Sequence, residues 1–285
     1  MSEARLNQPL ISVVILNYNN GEFLEKCIHS VLGQTYKNVQ ILFVDNGSTD
    51  KSLDIAQKYS RNLEIVRIES NLRQASGRNV GLAQVKGDLI CLLDSDDWWH
   101  CEKLELQSQL ISKGVELVYA SALTQLGNKY ITYPAKYRGD CSEFFYDARM
   151  PAVVLCGESG VMFTRELLSK VGWFDETLDS SSGWDFFRRC SNFTHFDFLD
   201  APLVYYRQHS NNLSRNYLAV SLDCQRAFSK GLYTLDVSSF NKRLIMLKAQ
   251  SFLYRGVLAQ PSRLKHNSLQ FCKLIRESVI ILWKL

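Results

Sequence analysis

The sequence predicts an α/β fold: a mostly parallel mixed sheet with helices on both faces. Three observations carry that expectation. Short apolar, β-branched runs alternate with stretches of helical periodicity. Each run stops at a polar cluster, and the order strand, helix, strand, helix is that of βαβ units. The first run, Pro9–Leu16, is apolar almost throughout, as a strand buried on both faces must be, and it ends in Asn17-Tyr18-Asn19-Asn20-Gly21. Phe23, Leu24, Cys27, Ile28, Val31 and Leu32 then recur at helical spacing, which predicts an amphipathic helix over Glu22–Leu32. Val39–Val44 predicts a second strand ending at Asp45–Asp50, where Ser48 or Thr49 can cap a helix that runs to about Tyr59. Leu63–Ile68 is a third strand, Ala75–Val85 a third helix closed by Gly87, and Asp88–Leu93 a fourth strand ending in Asp94-Ser95-Asp96-Asp97. Strand-like stretches at 115–121 and 128–133 are expected to complete the sheet.

Composition narrows the class. Of 285 residues, 46% are hydrophobic and 22% charged, as in a soluble globular protein, and 15 Gly with 5 Pro are too few for a fibrous or linker-rich chain. No apolar run approaches the roughly 20 residues that span a bilayer, and MSEARLNQPL lacks the basic-then-apolar order of a signal peptide. A cytoplasmic protein is therefore expected. Its 8 scattered cysteines form no CxxC pair and are read as reduced, mostly buried small residues. Charge is divided: residues 216–285 hold 11 Lys/Arg and 3 Asp/Glu, leaving 22 basic and 26 acidic residues in 1–215. Tyr217–Lys230, Asn241–Leu258 and Leu269–Leu285 carry apolar residues at helical spacing with Lys/Arg between them, which suits the surface of an anionic membrane. Packing back on the α/β body, or a homodimer contact, is the alternative.

Loops that follow parallel strands emerge on one edge of the sheet, where open α/β sheets bind ligands. The clusters at 17–20, 45–50 and 94–97 should thus converge. The fingerprints GxGxxG and GxxxxGK[ST] are both missing after the first strand, so no glycine-rich turn cradles a phosphate. The carboxylates Asp94, Asp96 and Asp97 repel one another unless a cation lies among them, and oxygen ligands suit Mg2+ or Mn2+ bridging a diphosphate.

At these residues the chain resembles the family 2 glycosyltransferases, nucleotide-sugar-dependent inverting enzymes of the GT-A fold. The resemblance runs over residues 10–215 and rests on SVVILNYNN (12–20), Gln34, LFVDNGSTD (42–50), SGRNVGL (76–82), GDLICLLDSDDWW (87–99), GESGVMFTRELLSKVGWFDE (157–176), WDFFRR (184–189) and YRQHSNNLS (206–214). It implies a GT-A domain over 1–215 and a basic helical extension over 216–285. It also implies a nucleoside diphosphate sugar donor, a carbohydrate or lipid-linked hydroxyl acceptor, a divalent metal, and a place in surface polysaccharide or glycolipid synthesis. Nucleic acid is not expected as a partner, since the front half is acidic and carries no RNA- or DNA-binding signature.

Carried over position by position, the resemblance gives the donor nucleotide to Leu16, Tyr18, Asn19, Asp45, Asn46, Arg78, Asp94, Ser95 and Asp96. Asn46 stands where relatives have a base-reading Asp; its amide still matches a pyrimidine edge. The metal falls to Asp96, Asp97 and His209. Glu158 and Ser159 lie beneath the donor sugar, with Trp173 and Trp184 as sugar-stacking or core residues. At the catalytic base the chain departs from the pattern Glu-Asp-x-Asp-Leu-x-x-Arg, because Ser182 and Gly183 occupy the Glu-Asp pair. Asp185 is then the first candidate, Asp179 the second through a mobile 180–182 segment, and loss of an efficient base the third. A degenerate module that binds the nucleotide sugar without turnover is the competing function.

Overall fold

The computed structural model describes residues 8–126, 129–146, 154, 157–210, 212, 217–234, 238–258 and 275–281. Strands β1 (Ile11–Asn17), β2 (Val39–Asn46), β3 (Glu64–Ile68) and β4 (Leu89–Asp94) alternate with helices α1 (Gly21–Leu32), α2 (Ser52–Gln57) and α3 (Arg73–Leu82). They form the parallel half of one sheet, in the order β3-β2-β1-β4. The order then continues through β8 (Val161–Thr164), β6 (Leu117–Leu126), β9 (Phe196–Arg207) and β5 (Trp98–Trp99), with β7 (Lys129–Tyr133) paired to β6. Helices α4 (Lys103–Ile111), α5 (Arg165–Val171) and α6 (Ser182–Cys190) flank this mixed half.

The continuous apolar run of β1 feeds two cores, because successive side chains of a strand point to opposite faces. Val14 and Leu16 join Leu42, Val44, Ile90 and Leu92 on one face. Ile11, Val13 and Ile15 join Phe43, Cys91 and Leu93 on the other, under the buried face of α1 made by Leu24, Cys27, Ile28 and Val31. Helix α3 covers the first face at close range. A Cβ at Gly81 would stand 2.4 Å from Val14 Cγ1, and one at Gly77 2.7 Å from Leu16 Cδ1. Two glycines one helical turn apart thus let the α3 backbone lie on the sheet. That contact drops Arg78, 2% exposed, against the carboxyl edge.

Two expected helix boundaries move. The α2 helix starts at Ser52 rather than being capped by Ser48 or Thr49, and Asp50 Oδ1 accepts the Ser52 amide at 2.9 Å. Ser48 and Thr49 are instead bonded to Asn17 and Asn19. Helix α3 ends at Leu82, and the chain to Val85 continues in i→i+3 turns, well before Gly87. The tail forms α7 (Tyr217–Thr234), α8 (Ser239–Leu258) and a short helix at 275–281; the rest of Leu269–Leu285 lies outside the described residues. Phe228, Leu232, Met246 and Ala249 make a third core with Trp184, Tyr146 and Ile281. Arg226 binds Glu277 through two hydrogen bonds of 2.8 and 2.6 Å. The tail helices therefore pack back on the α/β body. Among the described residues, no helix is long and apolar enough to cross a membrane.

One charge sits unusually deep. Lys103 is 0% exposed, its Nζ donating to Gln107 Oε1 at 2.7 Å and lying 4.0 Å above the Trp99 ring. Burial lowers its pKa to about 8 from 10.5. Below pH 8 the folded and unfolded chains both hold this proton, and the folded chain bears the full desolvation cost. Between 8 and 10.5 the unfolded chain alone holds it, so this group's contribution to stability rises with pH. Urea midpoints of Lys103→Met should therefore exceed the parent's by most, or fall short by least, at pH 7, and that difference should decline as pH climbs from 8 to 10.

Candidate functional site

The parallel register sets the carboxyl ends of three adjacent strands level. Asn17 pairs with Asp45, and Leu16 pairs with both Val44 and Asp94. The loops beyond them are bonded to one another. Asn17 Nδ2 donates to Asp45 Oδ1 at 3.3 Å and to Ser48 Oγ at 3.0 Å. Asn19, at φ 54°, accepts the Thr49 amide on its Oδ1 at 2.8 Å, and Asp50 Oδ2 accepts the Gly21 amide at 2.9 Å. Asn20 Nδ2 reaches Ser95 Oγ at 3.1 Å, tying the first loop to the acidic one. Amide, hydroxyl and carboxylate side chains of neighbouring loops thus take up backbone amides that the sheet leaves unpaired.

The acidic loop is organised by Arg78. Its Nη2 donates to Asp94 Oδ1 at 2.9 Å and its Nη1 to Glu158 Oε1 at 2.6 Å. Burial works against the guanidinium charge, but Glu158 and Asp94 outweigh it and hold Arg78 firmly protonated. Asp94 is pushed up to about 6 by burial, with Arg78 pulling down and Glu158 and Asp96 pushing up. Asp97 is 1% exposed: its Oδ2 accepts from Ser159 Oγ at 2.7 Å and its Oδ1 from the Arg207 amide at 3.0 Å. Burial, then Asp96 and Asp94, raise its pKa. Asp96 faces the other way, with Oδ2 2.9 Å from His209 Nε2 and 3.3 Å from Asn212 Nδ2.

These elements enclose a cleft of about 1000 Å³. Leu16, Tyr18, Asn19, Asn46, Asp94 and Asp96 line one part of it, and Glu158, Asp179 and His209 line another. The cleft thereby gathers residues drawn from most of the length of the α/β body. At its rim Asp96 and His209 face each other at 2.9 Å and are the residues that could hold a divalent cation. One carboxylate and one imidazole leave coordination positions for diphosphate oxygens and water, as Mg2+-type sites commonly do. Asp97, expected as a further ligand, turns its oxygens inward, one to Ser159 Oγ and one to the Arg207 amide. Among the described residues, no group of three His, Cys, Asp or Glu side chains is arranged to hold a metal by itself.

Residues 12–172, more than half of the chain, match the profile of glycosyl transferase family 2. The chain belongs to this family. Over 107 residues it is 36% identical to the putative teichuronic acid biosynthesis glycosyltransferase TuaG of Bacillus subtilis, and over 105 residues 38% identical to an uncharacterized glycosyltransferase of Haemophilus influenzae. Each match covers 36% of this chain and 42% of the relative, so the likeness spans about two-fifths of those proteins. A longer match, 27% over 250 residues, covers 84% of this chain and 82% of an uncharacterized glycosyltransferase of Methanocaldococcus jannaschii. The fold is shared with Staphylococcus aureus TarS, solved with UDP-GlcNAc, at TM-score 0.72 and 18% identity over 96% of this chain and 81% of that one. It is shared too with the mannosyltransferase PcManGT of Pyrobaculum calidifontis, solved with GDP-Man and Mn2+, at TM-score 0.64 and 15% identity over 98% of this chain and 89% of that one. The family 2 architecture expected from the sequence, GT-A with C-terminal helices, is the one observed.

Against the family 2 pattern, several expected side chains stand elsewhere. Asp185 is 2% exposed, with Oδ1 bound to Arg188 at 3.0 Å and Oδ2 to Arg189 at 2.9 Å, and it does not line the cleft. Trp184 packs between Phe145 and Phe228 in the core, and Trp173 is 51% exposed outside the cleft lining. The 180–182 segment is pinned rather than free to swing. Asp223 Oδ2, from α7, accepts the amides of Asp179 at 3.0 Å and Ser181 at 2.7 Å, and the Ser180 hydroxyl. Asn46 is 2% exposed and fully occupied: Oδ1 accepts the Leu72 amide, and Nδ2 donates to Asn71 Oδ1 and the Arg73 carbonyl. It therefore shapes the 71–73 turn, which holds Arg73 at φ 69° and brings Asn71, Arg73 and Gln74 into the cleft. Those three were not foreseen, although they form a fourth polar cluster at a strand end, directly after β3. Asp185→Asn should cost about 3 kcal/mol by leaving two guanidinium groups under-partnered in a buried network. A lowered urea midpoint with nucleotide binding retained checks this structural role.

Proposed function

We propose that this chain transfers a glycosyl group from a nucleoside diphosphate sugar to a hydroxyl acceptor with inversion, in surface polysaccharide or glycolipid assembly. The observation that carries it is the convergence of the β1, β2, β3 and β4 loops with Asp96, His209 and Glu158 on one cleft. The donor nucleotide lies along Leu16, Tyr18, Asn19 and the 71–74 turn, with its base read by backbone groups and by Asn71 and Arg73. Asp96 and His209 would hold a divalent cation, which would supply positive charge against the departing diphosphate. Asp94 and Arg78 fix the floor on which the ribose and sugar rest. Inversion requires the acceptor oxygen to approach opposite the leaving diphosphate, and a carboxylate there to take its proton. Asp179 and Glu158 are the carboxyls that line the cleft outside the 94–97 loop.

TuaG, similar to this chain over 107 residues, is named as a putative teichuronic acid biosynthesis glycosyltransferase, which supports the pathway class. The tail adds a membrane-facing reading. Leu244, Leu247, Val279 and Ile280 are exposed, and Arg243, Lys248 and Arg276 beside them are exposed and basic, a combination suited to peripheral attachment at an anionic leaflet. A binding-only role rests on Gly183 and is separated by chemistry: with donor and Mn2+ but no acceptor, a transferase slowly releases nucleoside diphosphate, and a binding module does not.

A thermal-shift panel of nucleoside diphosphates and their sugars with Mn2+, including UDP-GlcNAc and GDP-mannose, tests the donor site. One nucleotide should raise the Tm in a Mn2+-dependent way, and Asp96→Ala should abolish most of that rise. No shift with any nucleotide would overturn the assignment.

A further inference from the structure

Position 183 carries no side chain, yet the space in front of it is filled. A Cβ built on Gly183 would lie 2.0 Å from Glu158 Oε1, 2.6 Å from its Cδ and 3.2 Å from its Oε2. No real Cβ tolerates the first two distances. Glycine at 183 and the Glu158 carboxyl group are therefore one arrangement: the first turn of α6 lacks a side chain, and a carboxylate from the 157–160 turn occupies the vacancy.

Resting on the transfer function proposed above, we infer that Glu158 is the catalytic base that deprotonates the acceptor. Three observations support it. Glu158 lines the cleft, so its carboxyl group can meet a bound hydroxyl. Arg78 holds one oxygen, Oε1, while Oε2 accepts no hydrogen bond among the described residues and is available for the proton. The turn that carries Glu158 is clamped on every side. Trp99 Nε1 donates to the Ser159 carbonyl at 2.7 Å, Gln107 Nε2 to the Gly160 carbonyl at 2.9 Å, and Ser159 Oγ to Asp97. A base held in this way loses little freedom when the acceptor arrives, which is the condition for efficient proton transfer. The carboxyl that α6 itself carries, Asp185, is committed to its two arginines. Gly183 also lies in the first turn of the nine-residue α6, whose N-terminal amides favour an anion beside them.

The step balances without another reactant. The acceptor O–H bond gives its proton to Glu158 Oε2 as the oxygen forms a bond to the anomeric carbon. The bond from that carbon to the diphosphate breaks, and its electron pair leaves with the nucleoside diphosphate. Glu158 ends neutral and returns its proton to solvent. Arg78 positions the base, and because Arg78 is shared with Asp94, its charge is not spent on Glu158 alone.

The test compares steady-state nucleoside diphosphate release and donor thermal shift in the full chain and in five variants: Glu158→Gln, Asp179→Asn, Gly183→Ala, Gly183→Asp, and Glu158→Ser combined with Gly183→Asp. Glu158→Gln should keep the donor shift and lose about 10²–10⁴-fold in kcat, the usual worth of a general base. Gly183→Ala, which removes no functional group, should also depress kcat by displacing the Glu158 carboxyl. Gly183→Asp alone should be poorly active because two side chains compete for one volume. The double variant, which moves the carboxylate onto α6, should recover at least tenfold over Glu158→Gln. A parent that binds donor but never releases nucleoside diphosphate sinks the transfer function itself. A parent that turns over while Glu158→Gln matches it sinks only the Glu158 assignment, as does loss of turnover in Asp179→Asn with Glu158→Gln unaffected. If Glu158→Gln loses donor binding together with activity and the double variant recovers neither, Glu158 is structural and the proposal fails.

Discussion

A guanidinium taken out of water stays charged at tolerable cost only when carboxylates surround it, and at Arg78 the fold supplies two from distant parts of the chain. Asp94 comes from the end of β4 and Glu158 from the turn before β8, with α3 providing the arginine. Removing both acids would strand a buried charge, a far larger penalty than an exposed ion pair ever returns. This one contact therefore keeps the donor loops, the acidic loop and the 157–160 turn in a common frame. It is possible only because Gly77 and Gly81 let α3 descend onto β1. The backbone spacing of a helix thus decides the electrostatics of the cleft.

A second constraint works by exclusion. Asp97 and Ser159 satisfy each other inside the protein, so of the acids in the 94–97 loop Asp96 is the one turned to His209. The division of labour among three neighbouring carboxyls follows from which of them the packing can pair internally. Burial raises the proton affinity of Asp94 and Asp97, whereas Asp96 faces the rim, where a hard cation has room for other oxygen ligands.

The parallel half of the sheet was readable from residues because an all-apolar run bounded by polar clusters has few other physical solutions. The convergence of 17–20, 45–50 and 94–97 followed from strand direction alone. What escaped were features set by contact between distant segments. The four-residue β8, antiparallel between β4 and β6, is too short for periodicity to signal. The 71–74 turn follows β3, a strand with a partly exposed face, and its polar residues looked like an ordinary loop. Asn46 reads as a ligand contact in isolation, yet its bonds all go to that turn. The commitment of Asp185 was legible after all, since Arg188 and Arg189 stand three and four residues on, the spacing at which helical side chains meet. Gly183 was legible as an absence; the residue that fills its space was not, because nothing local links 183 to 158.

Asp223 gives the tail a thermodynamic voice in the cleft. Its carboxylate, carried on α7, gathers the amides that open the way into α6, and Lys230 of the same helix is paired with Asp175 just upstream. Any contact that reorients α7 must pull on the segment carrying Asp179. Reciprocity then requires that a ligand which tightens that segment alter the affinity of the tail for whatever it touches, by the same free energy.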